Sequence, residues 1–192
     1  AALLANDSSA AARVVKGDLD VDALEREVEA KALKVLAMRH PIARDLRMVL
    51  AAIRISIEFE RVCDFAKNIA KREIALRAIP PMELLARIAG LADLAQELLK
   101  DVLAAFSGRD VALALRVWAS DEKLDEAYST VHLGIVEFMR SHPEFVGDGS
   151  HLLFIAKNIE RIGDHATNIA EIINYQFTGE ELTSERPKLD SL

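Results

Sequence analysis

Apolar residues recur along most of the chain in steps of three and four, the spacing that places them on one face of an α-helix. The clearest stripe occurs twice, and such steps are typical of the seam of a helix bundle. The pattern therefore predicts long amphipathic helices that pack against one another. The two stripes are Ile55, Phe59, Val62, Ala66 and Ile69, and Ile155, Ile159, Ile162, Ala166 and Ile169.

Proline residues divide this pattern into segments, because proline ends helices. Pro80 and Pro81 are expected to separate two parts of the chain. Ser150, which follows a glycine-containing turn, is expected to be the N-cap of the last helix. The predicted helices cover about 8–39, 42–78, 82–106, 110–140 and 150–177.

The chain contains one sequence unit twice. The motif Glu-Arg-x-x-Asp-x-x-x-Asn-Ile-Ala stands at 60–70 and again at 160–170, and the segment 7–22 matches 110–125. The second copy contains three predicted helices, whereas the first copy has counterparts of only the last two. We therefore expect duplicated helical units, the first of them without its first helix.

These patterns predict an all-α fold built from two tandem, pseudo-repeated three-helix bundles. The first unit is expected at 1–79, the second at 82–178, and a polar, frayed tail at 179–192. The composition agrees, since hydrophobic residues make up 51% of the 192 residues and aromatic residues only 5%, as in packed helices.

Charge and cysteine content narrow the range of functions. The net charge of -7 argues against nucleic acid as the main partner and is compatible with cations or basic protein surfaces. The single cysteine, Cys63, cannot form an internal disulfide, which fits a reducing cytoplasm. No apolar run is long enough to span a membrane, and the first residues do not have the pattern of a signal peptide.

Each predicted unit carries two pairs of acidic residues at i and i+4, one pair on each of two long helices. Like charges at this spacing repel, so helix stability does not favour them. If the two helices lie side by side, four carboxylates converge, and a cation would remove the repulsion. The residues are Asp18, Asp22, Glu60 and Asp64 in the first unit, and Asp121, Asp125, Glu160 and Asp164 in the second.

The helical periodicity places Glu60, Asp64 and their second-unit counterparts opposite the apolar stripe, on a surface ledge. An isolated acidic pair is usually only a solvated face, but recurrence in both units favours a ligand site. Oxygen donors alone suit hard cations such as Mg²⁺, Ca²⁺, Mn²⁺ or ferric iron. A ferritin-like di-iron site would need histidine where Cys63 and Gly163 stand.

Other polar residues carry weaker predictions. Because Cys63 stands where the second unit has Gly163, it is interpreted as a small packing residue and not as a nucleophile. His165 is interpreted as a surface histidine or a peripheral ligand. Arg61 and Arg161 are expected to neutralise the acidic faces, and Asn68 and Asn168 continue those faces by one turn.

The motifs together resemble the PhoU family, the phosphate-specific transport system accessory proteins of bacteria. The resemblance extends over about 7–178 and includes "VVKGDLDVD", "RHPIARDLRMV", "ERVCD" and "ERIGDHATNIAE". One departure is "ERVCD", which has cysteine where the family motif more usually has glycine. The resemblance implies two related three-helix bundles whose acidic motifs bind clusters of iron, zinc or other metals, with magnesium, manganese or calcium as alternatives.

The resemblance also implies a role. The expected protein is a non-enzymatic, metal-binding negative regulator of phosphate uptake and of the transcriptional response to phosphate starvation. It would couple the ATPase subunit of the phosphate ABC transporter to the sensor histidine kinase of a two-component system. It would be cytoplasmic, peripheral to the membrane only through its partners, and a homodimer.

Two other functions stay open at the level of sequence. A metal-dependent phosphoester hydrolase would use the same carboxylates to activate water, but neither histidine nor lysine stands as a general base at matching positions in both units. A metal-free helical scaffold would instead dock its acidic ledge onto lysine and arginine residues of a partner, in a salt-sensitive manner.

Overall fold

The computed structural model describes residues 8–77 and 80–182, and all regular secondary structure within these ranges is helical. This confirms the prediction of an all-α fold. The helices are α1 (Ser8–Arg39), α2 (Ala43–Ala75), α3 (Met82–Gly108), α4 (Val111–Trp118), α5 (Asp121–Ser141) and α6 (Val146–Thr178), with one 3₁₀ turn at Pro143–Phe145.

Helix α6 lies at the centre of the molecule. It packs against α2, α3, α4 and α5, whereas α1 packs mainly on α2. Ile155, Ile169 and Ile173 of α6 are completely buried. Since α6 is covered on several sides, the apolar stripe seen in the sequence is only part of its buried surface.

Helices α2 and α6 run antiparallel. Near the C-terminal end of α2, Arg72 lies over the ring of Phe154, early in α6. Nearer the middle of α2, Glu58 contacts His165, late in α6. The duplicated motif-bearing helices therefore face each other in opposite directions.

Local sequence explains several of the helix ends. Pro81 precedes α3, where its missing N–H costs no helical hydrogen bond. The Asp110 side chain caps α4 by accepting a hydrogen bond from the Leu113 backbone N–H at 2.9 Å. Gly179 ends α6 in the left-handed conformation, with φ 81°.

Two predicted helix boundaries are wrong. The helix expected at 110–140 is interrupted between Trp118 and Asp121, so Asp121 begins a separate helix. The last helix begins at Val146, four residues before the proposed cap. The Ser150 hydroxyl instead donates to the Gly147 carbonyl within the helix, at 2.8 Å.

The division into units at 1–79 and 82–178, with a first unit lacking its first helix, stays a prediction.

A mostly apolar groove of about 470 Å³ lies where α1, α2 and α3 meet over α6. Most of the tail at 179–192, and residues 78–79 at the predicted end of the second helix, lie outside the described residues. In the described ranges, no helix is both long and apolar enough to cross a membrane.

Candidate functional site: two acidic clusters

The acidic residues of the first unit form one cluster between α1 and α2, here called acidic cluster 1 (Asp18, Asp22, Glu60 and Asp64). Its clearest contact is made by Lys67 of α2. The Lys67 Nζ donates to Asp18 Oδ2 at 2.6 Å and to Asp64 Oδ1 at 2.5 Å. One ammonium group thus joins carboxylates from both helices, and the two acids raise the pKa of Lys67 above its ordinary value.

The Cys63 thiol lies among the same four carboxylates. Burial raises the pKa of Cys63, and the charges of all four acids of acidic cluster 1 raise it further. Asp18, Asp22, Glu60 and Asp64 are thus all close enough to Cys63 for their charges to act on its pKa. A thiol held protonated in this way is a poor nucleophile, which agrees with its interpretation as a packing residue.

Glu25 extends acidic cluster 1 and was missed in the sequence. Burial raises the pKa of Glu60, and the carboxylates of Asp64, Asp22 and Glu25 raise it further. Arg61 opposes this shift from 3.6 Å, as expected for a neutralising arginine. Glu25 lies three residues after Asp22, a spacing that was a visible but unspecific signal.

The second set, acidic cluster 2 (Asp121, Asp125, Glu160 and Asp164), lies between α5 and α6. Burial raises the pKa of Glu160, and the charges of Asp164 and Asp125 add to that shift. Lys157 opposes the shift and donates to Glu160 Oε1 at 2.7 Å. The structure thus brings three of the four acids together, with Asp121 one helical turn before Asp125.

Acidic cluster 2 is more deeply buried than a surface ledge. Asp121 is 1% exposed and Glu160 is 7% exposed. Both carboxylate oxygens of Asp121 are shielded from solvent, and Glu160 Oε2 is buried and accepts no hydrogen bond from the described residues. Buried anionic oxygens are costly unless a cation or hydrogen-bond donors compensate them.

The expectation of an exposed ledge is therefore wrong for Glu160, which is buried, and Asp18 and Asp121 on the neighbouring helices are buried as well. A helical wheel divides each helix into an inner and an outer face. The acidic faces of neighbouring helices turn toward each other here, so several of these carboxylates lie between helices and are buried there.

Gly163 shows how closely the helices approach beside acidic cluster 2. A Cβ atom at this position would lie 2.0 Å from Leu124 Cδ2, so only glycine fits the observed packing. At the matching position of the first unit, Cys63 is half-buried and its side chain is accommodated. The departure from the glycine motif thus reflects looser packing between α1 and α2.

His165 is not a surface histidine, which corrects the sequence interpretation. It is half-buried, its Nδ1 lies 2.6 Å from Glu58 Oε2, and Asn168 Nδ2 donates to the same oxygen at 3.0 Å. Burial alone would raise the pKa of Glu58, but these hydrogen bonds and the nearby charges of His165 and Arg54 together lower it. No motif or spacing in the sequence indicates that Glu58 reaches across to α6.

Arg161 also differs from its expected role. Its guanidinium lies 5.6 Å from the centre of the Phe65 ring, and it forms no ion pair with the described residues of acidic cluster 2. The two arginines of the repeated motif therefore act differently, since only Arg61 pairs with its own cluster.

The donor chemistry of both clusters suits a hard cation, but the described side chains are not arranged as a finished metal site. In residues 8–77 and 80–182, no group of three or more carboxylate, histidine or cysteine donors converges in a way that could hold an ion. Cluster 1 already contains the Lys67 ammonium. Cluster 2 fits a cation better, because the buried Glu160 Oε2 has no hydrogen-bond donor in the described residues.

The chain is similar to a group of phosphate transport proteins. A family model described as "PhoU domain" matches residues 1–72 and 88–173. A phosphate-specific transport system accessory protein PhoU homolog of Caulobacter vibrioides is 48% identical over 193 aligned residues, covering 100% of this chain and 84% of that protein. The homolog of Xylella fastidiosa is 40% identical and covers 96% of this chain and 78% of its own length.

The fold of the chain is also similar to that of solved structures. The crystal structure of PhoU from Pseudomonas aeruginosa matches with a TM-score of 0.87 at 31% identity, covering 93% of this chain and 86% of that one. The structure of the phosphate transport system regulatory protein PhoU from Streptococcus pneumoniae matches with a TM-score of 0.87 at 26% identity, covering 95% and 86% of the two chains.

Proposed function

The chain belongs to the PhoU family, and from that membership we propose that it is a regulatory accessory protein of phosphate transport. The family model matches most of both sequence repeats, so the resemblance drawn from the motifs is confirmed. The family is one of accessory and regulatory proteins and not of enzymes. The protein is accordingly assigned no catalytic residue.

The chemistry of the described residues supports a non-enzymatic role. The only thiol, Cys63, has a raised pKa. His165, the histidine nearest the repeated motif, is engaged with Glu58 and has Phe65 as its counterpart in the first repeat. Neither residue offers an activated nucleophile or a general base beside both acidic clusters.

Acidic cluster 2 is proposed to bind a metal ion. The observation that supports this most directly is the buried Glu160 Oε2, which lacks a hydrogen-bond donor among the described residues. Burial raises the pKa of the same carboxyl group, and the charges of Asp164 and Asp125 add to that shift. Asp121, Asp125, Glu160 and Asp164 would be the ligands once their side chains rearranged around the ion. A bound cation would supply positive charge that compensates these buried carboxylates.

The oxygen donors suit magnesium, manganese, calcium or ferric iron, whereas zinc more often takes nitrogen and sulfur ligands. Iron or zinc clusters remain part of the proposal through family membership. Acidic cluster 1 (Asp18, Asp22, Glu60 and Asp64) is proposed as a weaker second site, since the ammonium of Lys67 already joins two of its acids.

The proposed action is negative regulation of phosphate uptake and of the phosphate starvation response. The protein would contact the ATPase subunit of the phosphate ABC transporter and the sensor histidine kinase, in the cytoplasm and as a homodimer. The names of the relatives support an association with the phosphate transport system. The net charge of -7 supports partners with basic surfaces.

Metal content measured by mass spectrometry, on protein purified without a metal-affinity tag, tests the site. Wild type is expected to retain metal, and the double variant Asp125→Asn, Asp164→Asn is expected to lose it. The matched control changes the counterparts in the first repeat, Asp22→Asn with Asp64→Asn, and should keep most of the metal. Wild type that binds no metal after incubation with iron, manganese, zinc and magnesium would overturn the assignment.

Binding of the purified ATPase subunit and kinase, with and without a chelator, tests the role. Regulation through metal predicts that chelation or the double variant at acidic cluster 2 changes binding. Binding that responds to salt but not to chelator would indicate the metal-free docking scaffold. Turnover of a phosphoester by wild type, lost in the double variant, would indicate the hydrolase and contradict the regulatory assignment.

A further inference from the structure

A second polar feature lies away from both acidic clusters, between the C-terminal part of α2 and the first half of α6. It is a cavity of about 410 Å³. Three of its side chains are cationic and two are amides, and no carboxylate is among the described residues that line it. The lining residues are Asn68, Lys71, Arg72, Ala75, Phe154, Asn158 and Arg161.

The three cations have no acidic partner within the described ranges. Lys71, Arg72 and Arg161 form no ion pair there at N···O distances up to 4.0 Å. Arg72 instead lies 4.4 Å from the centre of the Phe154 ring, and its Nη1 is 3.4 Å from His151 Nδ1. This concentration of unneutralised positive charge is notable in a chain of net charge -7.

The internal repeat shows what kind of group such a place accepts. Because α2 and α6 are antiparallel and carry one motif 100 residues apart (Glu60 and Glu160), each contact between them has a counterpart in which the helices exchange roles. The contact of Glu58 with Asn168 corresponds in this way to Asn158 with Asn68. The cavity is therefore the counterpart of the place occupied by the Glu58 carboxylate.

The Glu58 contact and the cavity differ in whether the chain itself supplies an anion. At the Glu58 end, the chain provides a carboxylate that accepts hydrogen bonds from Asn168 at 3.0 Å and interacts with His165 at 2.6 Å. At the cavity, Asn158 replaces the glutamate and provides no charge, while Arg72, Lys71 and Arg161 provide three cations.

We propose that this cavity binds an oxyanion of the phosphate class from solution, at the place that corresponds to the Glu58 carboxylate. Arginine guanidinium and lysine ammonium groups form strong charge-assisted hydrogen bonds with phosphate oxygens. Three cations with two amide groups match a multiply charged tetrahedral anion better than a single carboxylate. The volume admits either free orthophosphate or the phosphate group of a small phosphorylated compound.

This site is separate from the metal proposal, and its test removes metal from the experiment. The full chain, stripped with EDTA, is titrated at constant ionic strength with orthophosphate and with pyrophosphate, and binding is followed by isothermal calorimetry and ³¹P NMR. Saturable binding of at least one of the two is expected. The stronger ligand then distinguishes free phosphate from a larger phosphorylated compound.

The double variant Lys71→Gln, Arg161→Gln is expected to weaken binding at least tenfold, which is the loss of about 1.4 kcal/mol. Both side chains are exposed, so folding should be kept. The matched control, Lys34→Gln with Arg61→Gln, removes the same charge elsewhere, and Arg61 is the counterpart of Arg161. It should retain the wild-type affinity.

A second variant, Asn158→Glu, places the counterpart of Glu58 in the cavity and should abolish phosphate binding. Asn158 is 9% exposed, so the circular dichroism spectrum of the Asn158→Glu variant must first match that of wild type. If it does not, the double variant Lys71→Gln, Arg161→Gln decides whether the cavity binds phosphate. Failure of wild type to bind either anion saturably would overturn the proposal. Equal weakening in the matched control would do the same.

Discussion

The two acidic clusters are built from the same repeated residues, yet each is neutralised in its own way. In acidic cluster 1, the ammonium of Lys67 joins Asp18 of α1 to Asp64 of α2. The matching residue in the second repeat is Thr167, whose hydroxyl donates to the Asp164 backbone carbonyl at 2.7 Å. The two repeats thus share the acidic residues but not the lysine that joins them in the first repeat.

A lysine also accompanies acidic cluster 2, but from a different position. Lys157 donates to Glu160 at 2.7 Å within one helix, with its own side chain 43% exposed, whereas the Lys67 side chain is 22% exposed. The matching residue of the first repeat is Ile57. A cation at the rim can move away more easily than one that links two helices.

The comparison teaches that a repeated carboxylate pattern does not define two equivalent sites. Two opposite charges about 4 Å apart attract by about 4 kcal/mol at the effective dielectric typical of protein surfaces. A metal ion entering acidic cluster 1 (Asp18, Asp22, Glu60 and Asp64) would have to displace such an attraction twice. In acidic cluster 2 it would meet the buried Glu160 Oε2 instead.

The largest expected difference between the repeats lies in packing beside the clusters. Gly163→Ala would place a Cβ atom 2.0 Å from Leu124 Cδ2, and such overpacking should lower the free energy of unfolding by about 3 kcal/mol. The matched change Cys63→Ala should cost less than about 1 kcal/mol, because Cys63 is only half-buried. Urea denaturation of both variants measures the difference, and equal losses would contradict the tighter packing assigned to α5 and α6.

The next largest effect concerns the two lysines. Lys67→Met would leave Asp18, which is 8% exposed, without its ammonium partner. We expect the metal-free protein to lose about 2 kcal/mol of unfolding free energy, since breaking a buried pair leaves an uncompensated charge. Lys157→Met is the matched comparison and should cost less than Lys67→Met, because the Lys157 side chain is 43% exposed and pairs with only one carboxylate, within its own helix. Thermal denaturation in EDTA compares them, and a larger loss for Lys157→Met would reverse the assigned roles.

A third prediction transfers the residue of the second repeat to the first. Lys67→Thr removes the ammonium group from acidic cluster 1. The affinity of this cluster for a metal ion should then rise at least tenfold, or by about 1.4 kcal/mol. Manganese titration followed by electron paramagnetic resonance counts the bound ions in wild type and variant. The expected result is an additional ion in the variant, with the double change Asp22→Asn, Asp64→Asn removing it. Wild type that already binds metal equally in both clusters would show that Lys67 does not compete.

Much of this architecture could be predicted from the sequence. The three-and-four spacing of apolar residues predicts the long helices, and the duplicated Glu-Arg-x-x-Asp motif identifies the acids that lie between neighbouring helices. The break after Trp118 was not predictable, because the apolar periodicity continues across it into α5. Periodicity reports which face of a helix is apolar but not what covers it.

Contacts between helices account for what the sequence did not reveal. The spacing of Lys67 and Asp64 shows that they can pair, but not that Lys67 also reaches Asp18, 49 residues away. The contact between Glu58 and His165 spans 107 residues and joins positions that differ between the repeats. The burial of Asp121 depends on how α5 packs against α6. Each of these features belongs to tertiary packing, on which helical spacing carries no information.

The smallest expected effect tests the contact that distinguishes the two ends of the α2–α6 pair. Glu58→Gln keeps the size of the side chain but removes the charge that His165 and Asn168 share. Loss of a charge-assisted hydrogen bond from a half-buried site should lower the unfolding free energy by about 1 kcal/mol. The control Glu27→Gln removes an exposed pair with Lys31 and should change the free energy of unfolding less than Glu58→Gln does, because solvent screens that pair. If urea denaturation gives the same small change for both variants, Glu58 does not stabilise the contact between α2 and α6. The Glu58 end and the cavity end of the α2–α6 pair would then differ in charge but not in their contribution to stability.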